Sequence, residues 1–173
     1  YSVEHDPEQK RFLIHSNWKA KNFRLLETVL ANSKKRSQWK EIIPHRDHVL
    51  LQSVLAYPKN LVLMERESGL RKFRILDQNG KSEKRVSFND PSYTAYLAAN
   101  PEYKNTKFYY GYSSMRSPDS IYSIDLKNGR KRKLKQAEVK GPFSPSLYKV
   151  QRKEIKGRDG TLIPVSFVYR RDL

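Results

Sequence analysis

Two runs of alternating side chains joined by a turn recur three times along this chain at a nearly constant interval, and few folds accommodate such a repeat. The clearest copy is Phe-Tyr-Tyr-Gly-Tyr-Ser at 108–113 followed by Ser-Ile-Tyr-Ser-Ile-Asp-Leu at 120–126, with a Ser/Pro segment at 113–119 between them. Period-two alternation puts successive side chains on opposite faces of a strand, so each copy reads as a β-hairpin. From Phe12 to Leu61 is 49 residues and from Leu61 to Phe108 is 47; from Phe23 to Lys72 is 49, from Lys72 to Ser120 is 48, and from Asn79 to Asn128 is 49.

Around each hairpin lie two further runs. The first unit has 1–6, 12–17, 23–30 and 39–43; the second has 48–57, 61–66, 72–77 and 84–88; the third has 93–99, 108–113, 120–126 and 130–136. The run 23–30 by itself fits a strand or a helix, and the cleaner alternation of its counterpart at 72–77 favours the strand. Asn79-Gly80 and Asn128-Gly129 supply residues that accept positive φ, the signal for a tight two-residue hairpin turn.

Four strands per period of roughly 40 to 50 residues is the pattern of β-propeller blades. The expectation is therefore an all-β chain with three four-stranded antiparallel blades at about 1–46, 47–91 and 92–139. A Pro-rich connector at 140–147, Gly141-Pro142-Phe143-Ser144-Pro145 at its centre, ends the repeat. Runs 148–156 and 161–170 flank Asp159-Gly160 and read as one more hairpin, assigned with the rest of 148–173 to the opening of a different domain. A propeller needs at least about four blades to close its ring. Three imply a partial propeller, a fragment whose first and third blades each expose an apolar face, with self-association as one consequence.

Composition narrows the function classes. With no cysteine there is neither a disulfide framework nor a thiolate metal site, and a cytoplasmic location is the expectation. The apolar runs fall far short of the ~20 residues of a membrane helix and no leader pattern opens the chain, so a soluble protein with no membrane partner is expected. The net charge of +17 invites a nucleic-acid reading. Its spread along the chain argues for non-specific adhesion instead, since even the densest group, 130–135, alternates as an exposed strand would.

Each motif that could carry chemistry has a plainer reading. Gly111-Tyr112-Ser113 begins a nucleophile elbow, but Met115 stands where the second glycine belongs and the setting is strand rather than strand-to-helix. His5, His15, His45 and His48 lack supporting ligands, and the spacing of His45 and His48 has no helix beneath it. The seven glycines form no phosphate-binding loop. Tyr109, Tyr110, Tyr112 and Tyr122 suit a stacking platform for single strands less well than blade core and cross-strand pairs. Glu65 and Glu67 share a strand face as a charged edge near arginine. No catalytic, cofactor-binding or metal-binding residue is assigned, and no cofactor is expected.

The chain also carries Ile43-Pro44-His45-Arg46, Glu65-Arg66 with Gly69-Leu70, Asn100-Pro101-Glu102-Tyr103, Tyr112-Ser113-Ser114-Met115 with Ser117-Pro118, Leu134-Lys135-Gln136 with Glu138-Val139, and Asp159-Gly160-Thr161 with Pro164-Val165-Ser166 and Val168-Tyr169-Arg170. In these residues it resembles the oligopeptidase B branch of the prolyl oligopeptidase family of serine peptidases. The matching residues run in order from end to end. The resemblance implies a seven-bladed propeller lid on an α/β-hydrolase domain that cuts short peptides after Arg or Lys.

In that family the catalytic Ser, Asp and His, the oxyanion tyrosine and the acidic pockets lie C-terminal to the matching region and have no counterpart here. The chain would then be the last three blades, the hinge and the first hairpin of the catalytic domain, inactive alone. Its partners would be the missing blades, the catalytic domain and, through the parent enzyme, short basic peptides. A +17 lid repels such peptides unless its charge sits on the outer rims, with the innermost strands 1–6, 49–55 and 94–99 less basic. The alternative is a stand-alone basic propeller-like module for protein interaction or nucleic-acid binding.

Overall fold

The computed structural model describes residues 1–172; residue 173, the end of the predicted terminal hairpin segment, lies outside them. The elements are fourteen strands: β1 (Ser2–Asp6), β2 (Arg11–Ser16), β3 (Arg24–Thr28), β4 (Lys40–Ile43), β5 (Val49–Ala56), β6 (Asn60–Glu67), β7 (Leu70–Asp77), β8 (Glu83–Arg85), β9 (Tyr93–Leu97), β10 (Lys107–Ser114), β11 (Ser117–Asp125), β12 (Lys131–Gln136), β13 (Tyr148–Lys156) and β14 (Leu162–Arg170). Short 3-10 turns at Leu30–Asn32, Arg36–Gln38 and Pro145–Leu147 complete them. The strands form three four-stranded antiparallel sheets, β1 to β4, β5 to β8 and β9 to β12, each in sequence order, and the two-stranded hairpin β13–β14.

Contacts divide the chain into two compact units. One comprises Tyr1–Val86, Asn100–Phe108 and Asp125–Arg130; the other comprises Ser87–Ala99, Tyr109–Ile124 and the described residues from Lys131. In the first unit Leu13, Leu25 and Ile43 of one sheet meet Leu51, Val54, Leu61, Leu63 and Leu76 of the next in a single apolar cluster. Burying each such side chain stabilises by roughly 2 kcal/mol. Leu61, Val62 and Leu63 are all buried although successive side chains face opposite ways, so β6 is covered on both faces. The edge-to-face pair Phe73–Phe108, 5.1 Å between ring centres, extends this core.

The turns depart from the sequence reading in an instructive way. The two-residue hairpin of the second sheet is Ser68-Gly69, both at positive φ, between β6 and β7. Asn79-Gly80 instead lies in the longer loop 78–82. There Asp77 Oδ1 accepts the backbone N–H of Asn79 and Lys81, the Asp77 carbonyl accepts from Gly80, and Gly80 has φ +73. Asp125 repeats the device toward Lys127 and Asn128, with Gly129 at φ +76. A carboxylate two or three residues upstream of Asn-Gly thus turns a tight hairpin into an Asx-type loop.

Two further expectations change. The Ser/Pro segment 113–119 is mostly strand, leaving Met115-Arg116 as the connection between β10 and β11. The run 84–88 shortens to β8, because Val86 and then Phe88 turn inward to pack.

The first sheet leaves an apolar surface open as expected, a hollow of about 420 Å³ lined in part by Tyr1, Val3, Phe12, Ile14, Leu30 and Trp39. The third sheet exposes little beyond Met115 and Leu134. In its unit the root of β13–β14 packs near β9: Val150 is buried, and Ser92 Oγ and Ser166 Oγ lie 2.7 Å apart. Exposed apolar residues occur at both ends of the hairpin, Leu162 and Ile163 near its turn and Phe167, Val168 and Tyr169 on the part of β14 paired with the start of β13.

Candidate functional site

Three buried carboxylates organise the loops at the ends of the sheets. Glu65 on β6 receives Arg46 from the segment entering the second sheet and Arg74 Nη2 from β7 at 2.8 Å; Arg74 Nη1 continues to Glu83 at 2.7 Å. Asp90, in the segment entering the third sheet, accepts from Tyr112 OH at 2.8 Å, Ser114 Oγ at 2.7 Å, Arg116 Nε at 2.6 Å and Ser117 Oγ at 3.2 Å. Burial raises the Asp90 carboxyl, but the bonds from Ser114, Arg116 and Tyr112 together hold it below its ordinary range. Tyr112 is pushed up to about 12, by burial first and by Asp90 second.

Asp6 closes β1. It accepts from Arg11 Nε at 3.0 Å and from Tyr103 OH at 2.7 Å, while Arg11 also reaches Glu27 and donates from Nη2 to the Gln78 carbonyl at 3.0 Å. Burial and then the Asp6 carboxylate lift Tyr103 to about 12. Sequence reading missed the Asp6 and Asp90 hubs and placed Glu65 only at a charged edge near arginine. The available signal was an acidic or basic residue just before the first strand of a unit, Arg46 and then Asp90, with an opposite charge on the strands it enters.

The residues weighed from sequence fall as follows. Ser113, the serine of the elbow reading, lies within β10 opposite Thr94, and Gly111 sits in the same strand beneath the Tyr96 ring; the neighbouring Ser114 Oγ donates to Asp90 and accepts from Arg116 N–H, closing the turn. His5 stacks on Phe12 at 5.2 Å, while His15 stacks on Phe23 at 4.4 Å and donates from Nε2 to the Leu51 carbonyl at 2.8 Å. Burial pushes the His15 ring below its ordinary pKa, with the Leu51 bond opposing. His45 Nδ1 stands 3.8 Å from Asp47, and among the described residues no three His, Asp or Glu side chains group as a metal site.

Tyr110 and Tyr112 are buried, and Tyr122 stacks on Tyr110 at 5.4 Å, so these rings serve the sheet's packing. Glu65 and Glu67 separate: Glu65 is 3% exposed, whereas Glu67 pairs with Lys72 at the surface. Strand β12 is exposed along its whole length.

Charge follows strand order. The first strands β1, β5 and β9, each at one edge of its sheet, contain no lysine or arginine, and β1 carries Glu4 and Asp6. The last strands, at the opposite edges, hold Lys40, Lys84, Arg85, Lys131, Arg132, Lys133 and Lys135. The serines of the Asp90 cluster donate to a carboxylate that Arg116 already pairs, and among the described residues no histidine joins any of the three clusters. The arrangement can hold sheets in register and present two edges of different charge.

Successive four-stranded antiparallel sheets of constant period define a protein of the β-propeller class. Residues 1–137 match the family described as prolyl oligopeptidase, N-terminal beta-propeller domain. The chain belongs to the prolyl oligopeptidase family.

It is 35% identical over 165 residues to dipeptidyl aminopeptidase BI of Pseudoxanthomonas mexicana, covering 94% of this chain and 22% of that protein. It is 25% identical over 169 residues to protease 2 of Moraxella lacunata, covering 98% and 24%. Among solved structures, oligopeptidase B from Trypanosoma brucei, in a closed form with covalently bound antipain, superposes with a TM-score of 0.87 at 25% identity over 99% of this chain and 25% of that one. Oligopeptidase B from Leishmania major gives 0.86 at 26% identity, over 100% and 25%. The chain spans about a quarter of the length of these relatives.

Proposed function

We propose that this chain is the C-terminal part of the propeller lid of a serine oligopeptidase that cleaves short peptides after Arg or Lys, and that the lid admits substrates by size. On this reading 1–139 are propeller, 140–147 the hinge and 148–172 part of the first hairpin of the catalytic domain. The carrying observation is the family match over 1–137 together with an oligopeptidase B likeness that runs through β13–β14. The charge order of the strands supports it: first strands free of lysine and arginine would let cationic peptides pass a lid whose basic residues lie at the far edge. The chain alone hydrolyses nothing, because the serine nucleophile and its histidine base would belong to the catalytic domain.

A second reading has its own support, the 35% identity to a dipeptidyl aminopeptidase. That enzyme's name implies removal of dipeptides from a free amino terminus rather than internal cleavage. One experiment separates them. The full-length parent protein is given a fluorogenic arginine substrate with a blocked amino terminus and a dipeptidyl substrate with a free one. Turnover of the blocked substrate supports the oligopeptidase reading; turnover of the free one alone replaces it. Turnover by this chain alone, abolished by a serine-directed inhibitor, would remove the lid assignment. A defined DNA or RNA complex at physiological salt would favour the binding-module alternative.

A further inference from the structure

A cleft of about 310 Å³ opens in the first unit where three loop segments meet, 57–60, 104–106 and 126–127. Its floor is apolar: the buried side chains of Tyr57 and Leu126, with Pro58 beside them. Its rim is basic, formed by Lys59, Lys104 and Lys127, and Lys84 Nζ reaches the Lys127 carbonyl at 3.4 Å. Among the described residues no acidic residue lines it. Among the described residues none of these four lysines forms an ion pair. The nearby carboxylates Asp77 and Asp125 are turned into their own loops by backbone N–H groups.

The walls are also held in place before any ligand arrives. Leu126 N–H donates to the Thr106 carbonyl at 2.9 Å, Tyr57 N–H to the Asn60 carbonyl at 2.9 Å, and Tyr57 OH to Asn100 Oδ1 at 3.1 Å. A rigid apolar floor inside a ring of lysines that form no ion pair suits one kind of occupant, an extended segment with an apolar side chain between carboxylates. A simple inorganic anion would leave the floor unfilled, and an uncharged apolar segment would leave the lysines unanswered.

We propose that this cleft docks an acidic peptide segment, seating one aromatic or aliphatic side chain on Tyr57 and Leu126 while flanking Asp or Glu residues meet Lys59, Lys104 and Lys127. The proposal is independent of the peptidase reading. It concerns binding without cleavage, of peptides opposite in charge to those assigned to the parent enzyme.

The test is fluorescence anisotropy with the full chain, at about physiological ionic strength, using a labelled, terminally blocked peptide with one phenylalanine between two pairs of glutamates. Lys104→Glu and Lys59→Glu should each weaken binding by roughly tenfold. Lys34→Glu, the same charge change on an exposed loop outside the cleft, should leave it unchanged. Replacing the phenylalanine by glycine should weaken it several-fold. Equal losses from Lys34→Glu and Lys104→Glu, equal affinity for the glycine peptide, or no binding at that salt would each overturn the proposal in favour of generic adhesion by a basic surface. Circular dichroism of each variant guards against loss by unfolding.

Discussion

The Tyr96 ring lies flat against the backbone of Gly111, its cross-strand partner in the β9–β10 pair, and its hydroxyl donates to Asp119 at 2.8 and 3.0 Å. A Cβ at residue 111 would fall 2.0 to 2.4 Å from that ring. The glycine is therefore required by close approach and not by backbone conformation, and the Asp119 bond stops the ring from stepping aside.

Gly111→Ala should destabilise the fold by about 1 to 3 kcal/mol, the usual range for overpacking. Tyr96→Phe, which keeps the ring and loses the hydrogen bond, should cost only about 1 kcal/mol. Urea midpoints of the two variants decide it; a neutral Gly111→Ala would mean the ring moves freely.

Asp90→Ala should be among the most damaging single changes. It strips four donors of their acceptor and leaves Arg116 without its partner beside a buried site, at roughly 3 kcal/mol. The folded-state pKa of Asp90 is lowered from 3.8, so its contribution is present above that value and lost as the pH falls through the lower folded value. Denaturant titrations from pH 6 downward should show the gap between wild type and Asp90→Asn narrowing only at the acid end.

His15 gives a second pH dependence in a different window. Its folded pKa lies below 6.5, so the folded state favours the neutral ring that donates to Leu51. Stability from this residue is present above 6.5 and declines as the pH falls through the folded value, because the unfolded chain takes up the proton more readily. NMR titration should place the His15 midpoint below 6.5, and His15→Gln should flatten the loss of stability on acidification. A midpoint at or above 6.5 would contradict the buried geometry.

Glu65 and Glu67 offer an internal comparison two residues apart on one strand. Glu65→Ala leaves the guanidinium of Arg74, whose side chain is 11% exposed, without one of its two carboxylates and should cost roughly 3 kcal/mol. Glu67→Ala removes a pair whose members are 35% and 39% exposed and should cost under about 1 kcal/mol. Chemical denaturation of the two variants reads the difference directly.

Legibility from sequence follows the range of the forces involved. Strand positions were visible because alternation is a local property: every predicted run between Tyr1 and Arg170 is realised as a strand, most within two residues of its expected ends. Loop geometry was legible only in part. Asn-Gly marked the positive φ at Gly80 and Gly129, but the Asp77 and Asp125 carboxylates decided the loop length, and Ser68-Gly69 made the tight turn without the favoured asparagine.

The Asp6 hub could not be read, since Arg11 and Gln78, or Asp6 and Tyr103, are 67 and 97 residues apart and meet only once sheets have packed. The sequence by itself determined the repeat, the all-β class and the family, because periodicity and residue identity survive without knowledge of contacts. Only the tertiary structure decided which charges are buried and paired, that Gly111 exists to admit a ring, and that Lys59, Lys104 and Lys127 surround one cleft. Each of those depends on distances between segments far apart along the chain, which packing sets and local pattern does not encode.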